Sequence, residues 1–324
     1  MDAVSRSRLG RLSGWVRPPQ AGTPLGRASV PPTGVLIALF ALYGCWGSSI
    51  PAMKLMVGGI PPLAGAGSVF LVGGAVLLML GRGDRRPTRA QICRAGWVGV
   101  LLLVGGQGLG TVVLTRLTAS LTALLVATIP LWMAALRIRR REHIDRQAII
   151  RLLVGFTGVV VVLLTAPASA LGGSVLAVIG CAVAAVFWAM GSVQSADAET
   201  MPADPRIASG IQLLTGGFAL LVLAAIFGQL GPHTFADAPA SSLAAAGYLL
   251  FVDSLAGFAL YGWLLRAAPL QLVASYGYVT PLIAAVIGIG VFGDQPWPGM
   301  VLGAALITVA VVAEIRSRGE GARS

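Results

Sequence analysis

Residues 97–115 read WVGVLLLVGGQGLGTVVLT and residues 118–136 read TASLTALLVATIPLWMAAL, with only Arg116 and Leu117 between them. Both runs are apolar on every face and approach the ~20 residues that carry a helix across the hydrocarbon of a bilayer. A strand of a membrane barrel would alternate in polarity over roughly ten residues, which neither run does. Two neighbouring helices of spanning length, joined by a short turn, decide the fold class: the chain is all-α and its solvent is lipid.

Outward from this pair, further apolar runs place spans at 35–56, 62–80, 97–115, 118–136, 148–165, 174–194, 207–228, 243–265, 270–292 and 298–315. The composition agrees. Hydrophobic residues make up 56% of the 324 positions and charged residues 11%, against about a quarter charged in soluble domains. No ordinary globular core hides that much apolar surface, so a soluble enzyme is excluded and a ten-helix integral membrane protein is expected.

The net charge of +11 is distributed by position. Arg6, Arg8, Arg11, Arg17 and Arg27 precede the first span, and Arg82, Arg85, Arg86, Arg89 and Arg94 follow the second. Arg137, Arg139, Arg140, Arg141, Arg146 and Arg151 surround the connection between the fourth and fifth, while Arg206, Arg266, Arg316, Arg318 and Arg323 continue the same side. Only Lys54 and Arg116 are left for the other side. The positive-inside rule therefore predicts that both termini are cytoplasmic, which an even number of spans requires. No basic patch is interleaved with aromatics, so nucleic acid is not a partner. Residues 1–34, rich in Arg, Pro, Gly and Ser, lack the apolar core and cleavage site of a signal peptide, and their prolines argue against a surface helix. They read as a disordered basic cytosolic tail, and residues 316–324 as a second cytosolic tail.

Three cysteines occur: Cys45 and Cys181 in spans, Cys93 in an expected cytosolic loop. They offer neither a disulfide framework nor a CxxC metal site. His143 and His233 fall in loops on opposite sides. Gly288, Gly290 and Gly293 spell GxGxxG, but at the end of an apolar span rather than between a strand and a helix, so no cofactor is assigned. Gly106 with Gly110, and Gly299 with Gly303, have the spacing that lets membrane helices approach closely. No span carries a nucleophile with its base, paired carboxylates or a metal-ligand set, so no catalytic residue and no metal site is assigned. The chain reads as a protein that binds and moves something without changing it.

Two halves of the sequence are alike. Trp46 in the first span is matched by Trp188 in the sixth, and Ala119–Pro130 (ASLTALLVATIP) parallels Val273–Pro281 (VASYGYVTP). Glu142 and Asp294 follow at similar distance, then Gly155 and Gly303. Five spans per half, an odd number, require the second half to be inverted relative to the first. The repeats are expected at 35–165 and 174–315.

At these residues the chain resembles the drug/metabolite transporter superfamily, specifically the ten-helix EamA-type exporters. YGCWGSSIPAMK at 43–54 is similar to the family's first-helix signature, and LLRAAPLQLVASYGYVTPLIAAVIG at 264–288 is a closer match; the resemblance covers about residues 35–315. It implies a transporter of small metabolites, amino acids or drug-like compounds in the inner or plasma membrane. Three positions depart from the family pattern. Ser68 stands where a basic residue often sits, Asp294 replaces the usual Glu, and Asp253 lies in the eighth span where a small residue is common.

Asp253 is the one acid expected at bilayer depth, where an ionised Asp costs roughly 2.5–3.5 kcal/mol. It should face a cavity or a partner, and helical spacing puts Asp253, Gly257 and Tyr261 on one face. Two readings stand: a proton-coupling or substrate-amine site, or a structural Asp bonded to a neighbouring helix. Tyr43, Trp46, Trp188, Tyr276 and Tyr278 lie in repeat-related spans beside prolines or glycines, as a cavity wall or as ordinary packing. Gln107 and Gln212 serve either a ligand or a facing helix. Pro51, Pro130 and Pro281 free backbone carbonyls and mark broken helices, whose carbonyls a cavity uses or a Ser satisfies. Lys54 reads as a snorkelling side chain, with a substrate-carboxylate ligand as the alternative, and Arg116 as an orientation residue.

Together these readings predict a secondary transporter exporting a small molecule by alternating access between inverted halves, with proton antiport as the favoured coupling. No GxxxxGK[ST] motif offers ATP as the direct energy source. An uncoupled facilitator and a membrane-embedded receptor or assembly subunit are the alternatives. Ten helices suffice for a working monomer, with a homodimer as the other arrangement.

Overall fold

The structure, a computed structural model, describes residues 32–81, 86–139, 146–167, 174–268, 270–273 and 275–321. The expected tail at 1–34 falls almost wholly outside the described residues, as do Glu142 and His143. Six helical stretches are long and apolar enough to cross a bilayer: Thr33–Met56, Pro62–Leu80, Arg89–Val113, Val175–Ser195, Pro205–Ile226 and Ala240–Ala267. Shorter apolar helices, Ala119–Met133, Leu153–Val162, Leu282–Phe292 and Pro298–Ala310, occupy the other expected places. No strand occurs among the described residues. The chain is a multi-pass helical membrane protein.

In chain order the helices are α1 (Pro32–Gly47), α2 (Ser49–Met56), α3 (Pro62–Leu80), α4 (Arg89–Gly99), α5 (Leu109–Val113), α6 (Ala119–Val126), α7 (Ile129–Arg139) and α8 (Arg146–Thr165). There follow α9 (Val175–Ser195), α10 (Pro205–Ile226), α11 (Ala240–Tyr248), α12 (Phe258–Ala267), α13 (Leu270–Val273), α14 (Tyr276–Phe292) and α15 (Pro298–Gly321). Two segments wind as π-helix, Val100–Gly108 between α4 and α5 and Leu249–Gly257 between α11 and α12.

The helix ends explain where the sequence reading was displaced. Arg89, Cys93 and Arg94, expected in a loop, lie in α4. Thr88 starts that helix early through a reciprocal capping box, its hydroxyl accepting from Gln91 N at 3.2 Å while the Gln91 carboxamide accepts from Thr88 N at 3.0 Å. Asp204 opens α10 by accepting from Arg206 N at 2.8 Å, with Pro205 at the first helical position. Gly293 closes α14 in the left-handed conformation at φ 69°, where a side chain would be strained. Gly293 is the last glycine of the GxGxxG spelling. At the other end of the chain, α15 continues to Gly321, so the tail expected from residue 316 begins as helix.

Glycine sets the packing. A Cβ on Gly74 would fall 2.9 Å from the Gly210 carbonyl oxygen, and one on Gly217 would fall 2.9 Å from the Gly67 carbonyl oxygen. Gly67 meets Leu221 at 2.9 Å and Gly210 meets Leu78 at 2.8 Å. Numbers rise along α3 as they fall along α10, so the two helices run antiparallel, with backbone touching backbone. The same reciprocity joins α8 to α15: Gly158 approaches the Gly303 carbonyl and Ile307, while Gly303 approaches the Gly158 carbonyl and Val162. Gly299, against Thr165, completes that contact. The expected Gly299/Gly303 pair is thus a packing pair. Gly110 is not, because nothing lies within 4 Å of a Cβ placed there.

Charged side chains tie the helix ends to one another. Lys54 Nζ donates to the Leu114 and Leu117 carbonyls at 2.6 and 2.8 Å, closing the last turn of α5. Asp294, after α14, accepts from Ser120 N at 3.0 Å and from Ser120 Oγ at 2.7 Å at the start of α6. It supplies across space the acceptor that an N-cap supplies locally. Asp294→Ala should therefore lower the stability of the purified protein by about 1 kcal/mol, read as a lower thermal midpoint in detergent, while Asp294→Asn retains an acceptor and loses less.

Candidate functional site

Three spans are interrupted along their length, and each break carries a hydroxyl. Between α1 and α2, Ser48 donates to the Gly44 and Cys45 carbonyls at 2.7 and 3.1 Å, and Ser49 donates to the Trp46 carbonyl at 2.8 Å. Between α6 and α7, Thr128 donates to the Leu125 carbonyl at 2.6 Å. Ahead of α14, Ser275 donates to the Leu272 carbonyl at 2.5 Å. Pro51 and Pro130 each follow their break by two or three residues, having no N–H to continue the ladder. Pro281 differs, because the helix Tyr276–Phe292 runs through it and the turn lies upstream, at Ser275. The hydroxyls add a second donor at these turns, because the Gly44, Leu125 and Leu272 carbonyls already accept from the N–H of Ser48, Thr128 and Ser275.

The breaks lie around a small cavity of about 70 Å³, below the ~300–1,000 Å³ of sites for drug-sized ligands. Trp46, Ser49 and Ile50 line it from the first span, and Gly106, Gln107 and Gly110 from the third. Val126 and Ile129 come from the fourth, Ala184, Ala185 and Trp188 from α9, and Tyr276 and Thr280 from α14. The wall is drawn from both halves of the chain.

Trp46 is the hub of the aromatic wall. Its ring lies 4.7 Å from Tyr276, 4.9 Å from Tyr261, 5.6 Å from Trp188 and 5.8 Å from Phe258, mostly edge to face. Trp188 Nε1 donates to the Tyr276 hydroxyl at 2.7 Å. Glycines in the two π-helical segments seat the two tryptophans reciprocally. A Cβ on Gly257 would press into Trp46 Nε1 and lie 2.9 Å from its Cδ1, and one on Gly106 would lie 2.9 Å from Trp188 Cε3. Each tryptophan belongs to one half of the chain and its seat to the other.

Asp253, Gly257 and Tyr261 share the buried face predicted for them, toward α1 and α2, but none lines the cavity. Asp253 and Tyr261 are each 1% exposed. Ser49 is the hydroxyl that approaches the Asp253 carboxyl, and Ser49 also lines the cavity, so the acid stands one residue behind the wall. Among the described residues, Trp46 Nε1, Ser192 Oγ, Asp253 Oδ1, Ser254 Oγ and Tyr261 OH are buried and make no direct hydrogen bond to protein.

Two of the residues expected to line a cavity lie elsewhere. Tyr43 bonds the Ser275 hydroxyl and meets Phe40 edge-on. Gln212 donates to Ser195 Oγ at 3.1 Å, which is the facing-helix role, because its amide is buried where α9 and α10 meet. The Tyr278 side chain lies outside the described residues. The sequence reading missed Ser49, Thr280, Phe258 and Ser192; Ser49 alone had a local signal, its place between Trp46 and Pro51. Among the described residues no group of three His, Cys, Asp or Glu side chains gathers that would hold a metal ion.

The chain is thus a helical membrane protein with interrupted spans around a small, partly open cavity. The EamA-like transporter family matches this sequence twice, over residues 32–164 and 175–313, and the chain belongs to that family. It is 31% identical over 269 residues to the protein named "Uncharacterized inner membrane transporter YedA" of Escherichia coli K12, a match spanning 79% of this chain and 82% of the relative. The protein of that name from Escherichia coli O157:H7 matches equally. A solved crystal structure shares the fold at TM-score 0.61 and 21% identity, covering 87% of this chain and 96% of its own.

Gly257→Ala should destabilise the protein by about 1–3 kcal/mol, because the added methyl collides with the Trp46 indole. The double variant with Trp46→Phe should recover most of that loss, and Gly110→Ala, with open space, should cost little. Thermal unfolding of the purified variants reads all three.

Proposed function

We propose that this transporter is a secondary exporter of small molecules in the inner membrane, working by alternating access and driven by exchange with protons. The observation that carries this reading is the aromatic cavity walled by both halves of the chain, with a buried acid directly behind its Ser49 and Trp46 side. Ten spans in two inverted repeats, 35–165 and 174–315, with cytoplasmic termini, provide the frame. The antiparallel pairing of α3 with α10 and of α8 with α15 supports it, since each pair joins corresponding spans of the two repeats. Rocking of one repeat against the other about these glycine contacts would expose the cavity alternately, with the interrupted spans bending. Taking up or releasing a proton at Asp253 changes the charge behind the wall, and so couples proton movement to that motion.

The test is flux into liposomes of reconstituted protein across a broad metabolite panel, with and without a proton gradient. Wild type should accumulate substrate only with the gradient, and Asp253→Asn should fall to the gradient-independent level. Flux that ignores both the gradient and the substitution would remove proton coupling through Asp253 and leave a facilitator. Topology is read separately by placing single cysteines in a chain lacking the native ones. A cysteine at Arg116 should react with an impermeant thiol reagent on intact cells, and one at Arg86 only after permeabilisation.

A further inference from the structure

The cavity's wall is chemically lopsided. Its hydroxyls are committed to their own helices: Ser49 Oγ donates to the Trp46 carbonyl at 2.8 Å and Thr280 Oγ1 to the Tyr276 carbonyl at 2.8 Å. The Trp188 N–H is committed to the Tyr276 hydroxyl at 2.7 Å. What remains is the proton of the Tyr276 hydroxyl, which accepts from Trp188, and Gln107, in the π-helical segment of the third span, whose side-chain amide makes no hydrogen bond among the described residues. The Gln107 amide presents two donors and an acceptor to a space otherwise bounded by indole and phenol rings and by aliphatic side chains.

No lining residue carries a formal charge. The nearby cations are already engaged: Lys54 binds the Leu114 and Leu117 carbonyls, and Arg266 binds the Ala203 and Pro202 carbonyls at 2.8 and 2.5 Å. Asp253 is screened from the space by Trp46 and Ser49. A carboxylate, a phosphate or a zwitterion entering here would leave its solvation shell and find no opposite charge in the wall, at a loss of orders of magnitude in affinity. An ammonium group would find aromatic faces but no carboxylate in contact.

Resting on the reading of this cavity as the substrate site, we infer that its ligand is a net-neutral, mainly apolar ring compound with a single hydrogen-bonding head such as a carboxamide. The head pairs with the Gln107 amide and the ring lies against Trp46, Trp188 and Tyr276. Gln107 is then the residue that sets specificity by charge. It admits a neutral head and rejects either ion of the same shape.

Benzamide, benzoate and benzamidinium share one ring and one trigonal head and differ in charge, so they test this directly. Each is titrated calorimetrically into purified full-length protein in detergent, with empty micelles as the blank. Wild type should bind benzamide saturably and at least about tenfold tighter than either ion. Gln107→Ala should weaken benzamide by about tenfold, and Gln107→Glu should reverse the preference toward benzamidinium. Benzoate or benzamidinium binding wild type as tightly as benzamide would overturn the inference and leave the cavity as the substrate site. So would unchanged benzamide binding in a Gln107→Ala protein that elutes and unfolds like wild type. Saturable binding of none of the three would overturn the reading of the cavity itself, and this inference with it.

Discussion

Backbone meeting backbone at glycine is the contact on which the rest of the molecule depends. Between helices in lipid there is little hydrophobic gain to be had, so association rests on close packing. Gly67, Gly74, Gly210 and Gly217 bring α3 and α10 to within van der Waals reach of each other's main chain, and Gly158 and Gly303 do the same for α8 and α15. Because these contacts are reciprocal and antiparallel, they fix the relative height of the paired helices. The cavity lies among the other spans, whose breaks a rigid pair on either side can tolerate.

Those breaks are stable for a different reason. A bilayer gives no water to a carbonyl stranded by a proline or a turn, so each interruption needs an internal donor. Ser48, Ser49, Thr128 and Ser275 each return a hydroxyl to the preceding turn. The same economy limits the cavity's chemistry, since the Ser49 and Thr280 hydroxyls have no proton left to offer a ligand. The Gln107 amide and the Tyr276 hydroxyl are the wall groups that backbone repair does not claim.

Much of this was legible in the residues. Apolar runs located the spans, because lipid demands length and uniform apolarity whatever the neighbours are, and the similarity of Trp46 to Trp188 pointed to the duplicated core. Two of the helix breaks fall two or three residues before a proline, Pro51 and Pro130. Pro281 misled, because α14 tolerates the missing N–H while the chain parts upstream. The capping box at Thr88 was written in TRAQ, yet the polar first turns of α4 read as a loop when apolarity alone was followed. The site was legible only by residue type. Whether Gln107 or Gln212 faces a cavity depends on helix rotation, and π-helical winding in the third and eighth spans changes that rotation without a local sequence signal. Asp253 was picked out by its cost in the membrane, and the structure places it one residue away from the space it was expected to enter.

The π-helical segment at Leu249–Gly257 carries a further consequence. A π turn takes in more residues for its rise than an α turn, so the eighth span stores surplus chain at mid-depth. Both ends of that span are moored to the rest of the protein, Ser242 to the Leu55 carbonyl at 3.0 Å and Arg266 to the carbonyls of Pro202 and Ala203. The surplus winding therefore sits between two fixed ends, at the level where Gly257 seats the Trp46 indole and Asp253 is buried beside Ser49.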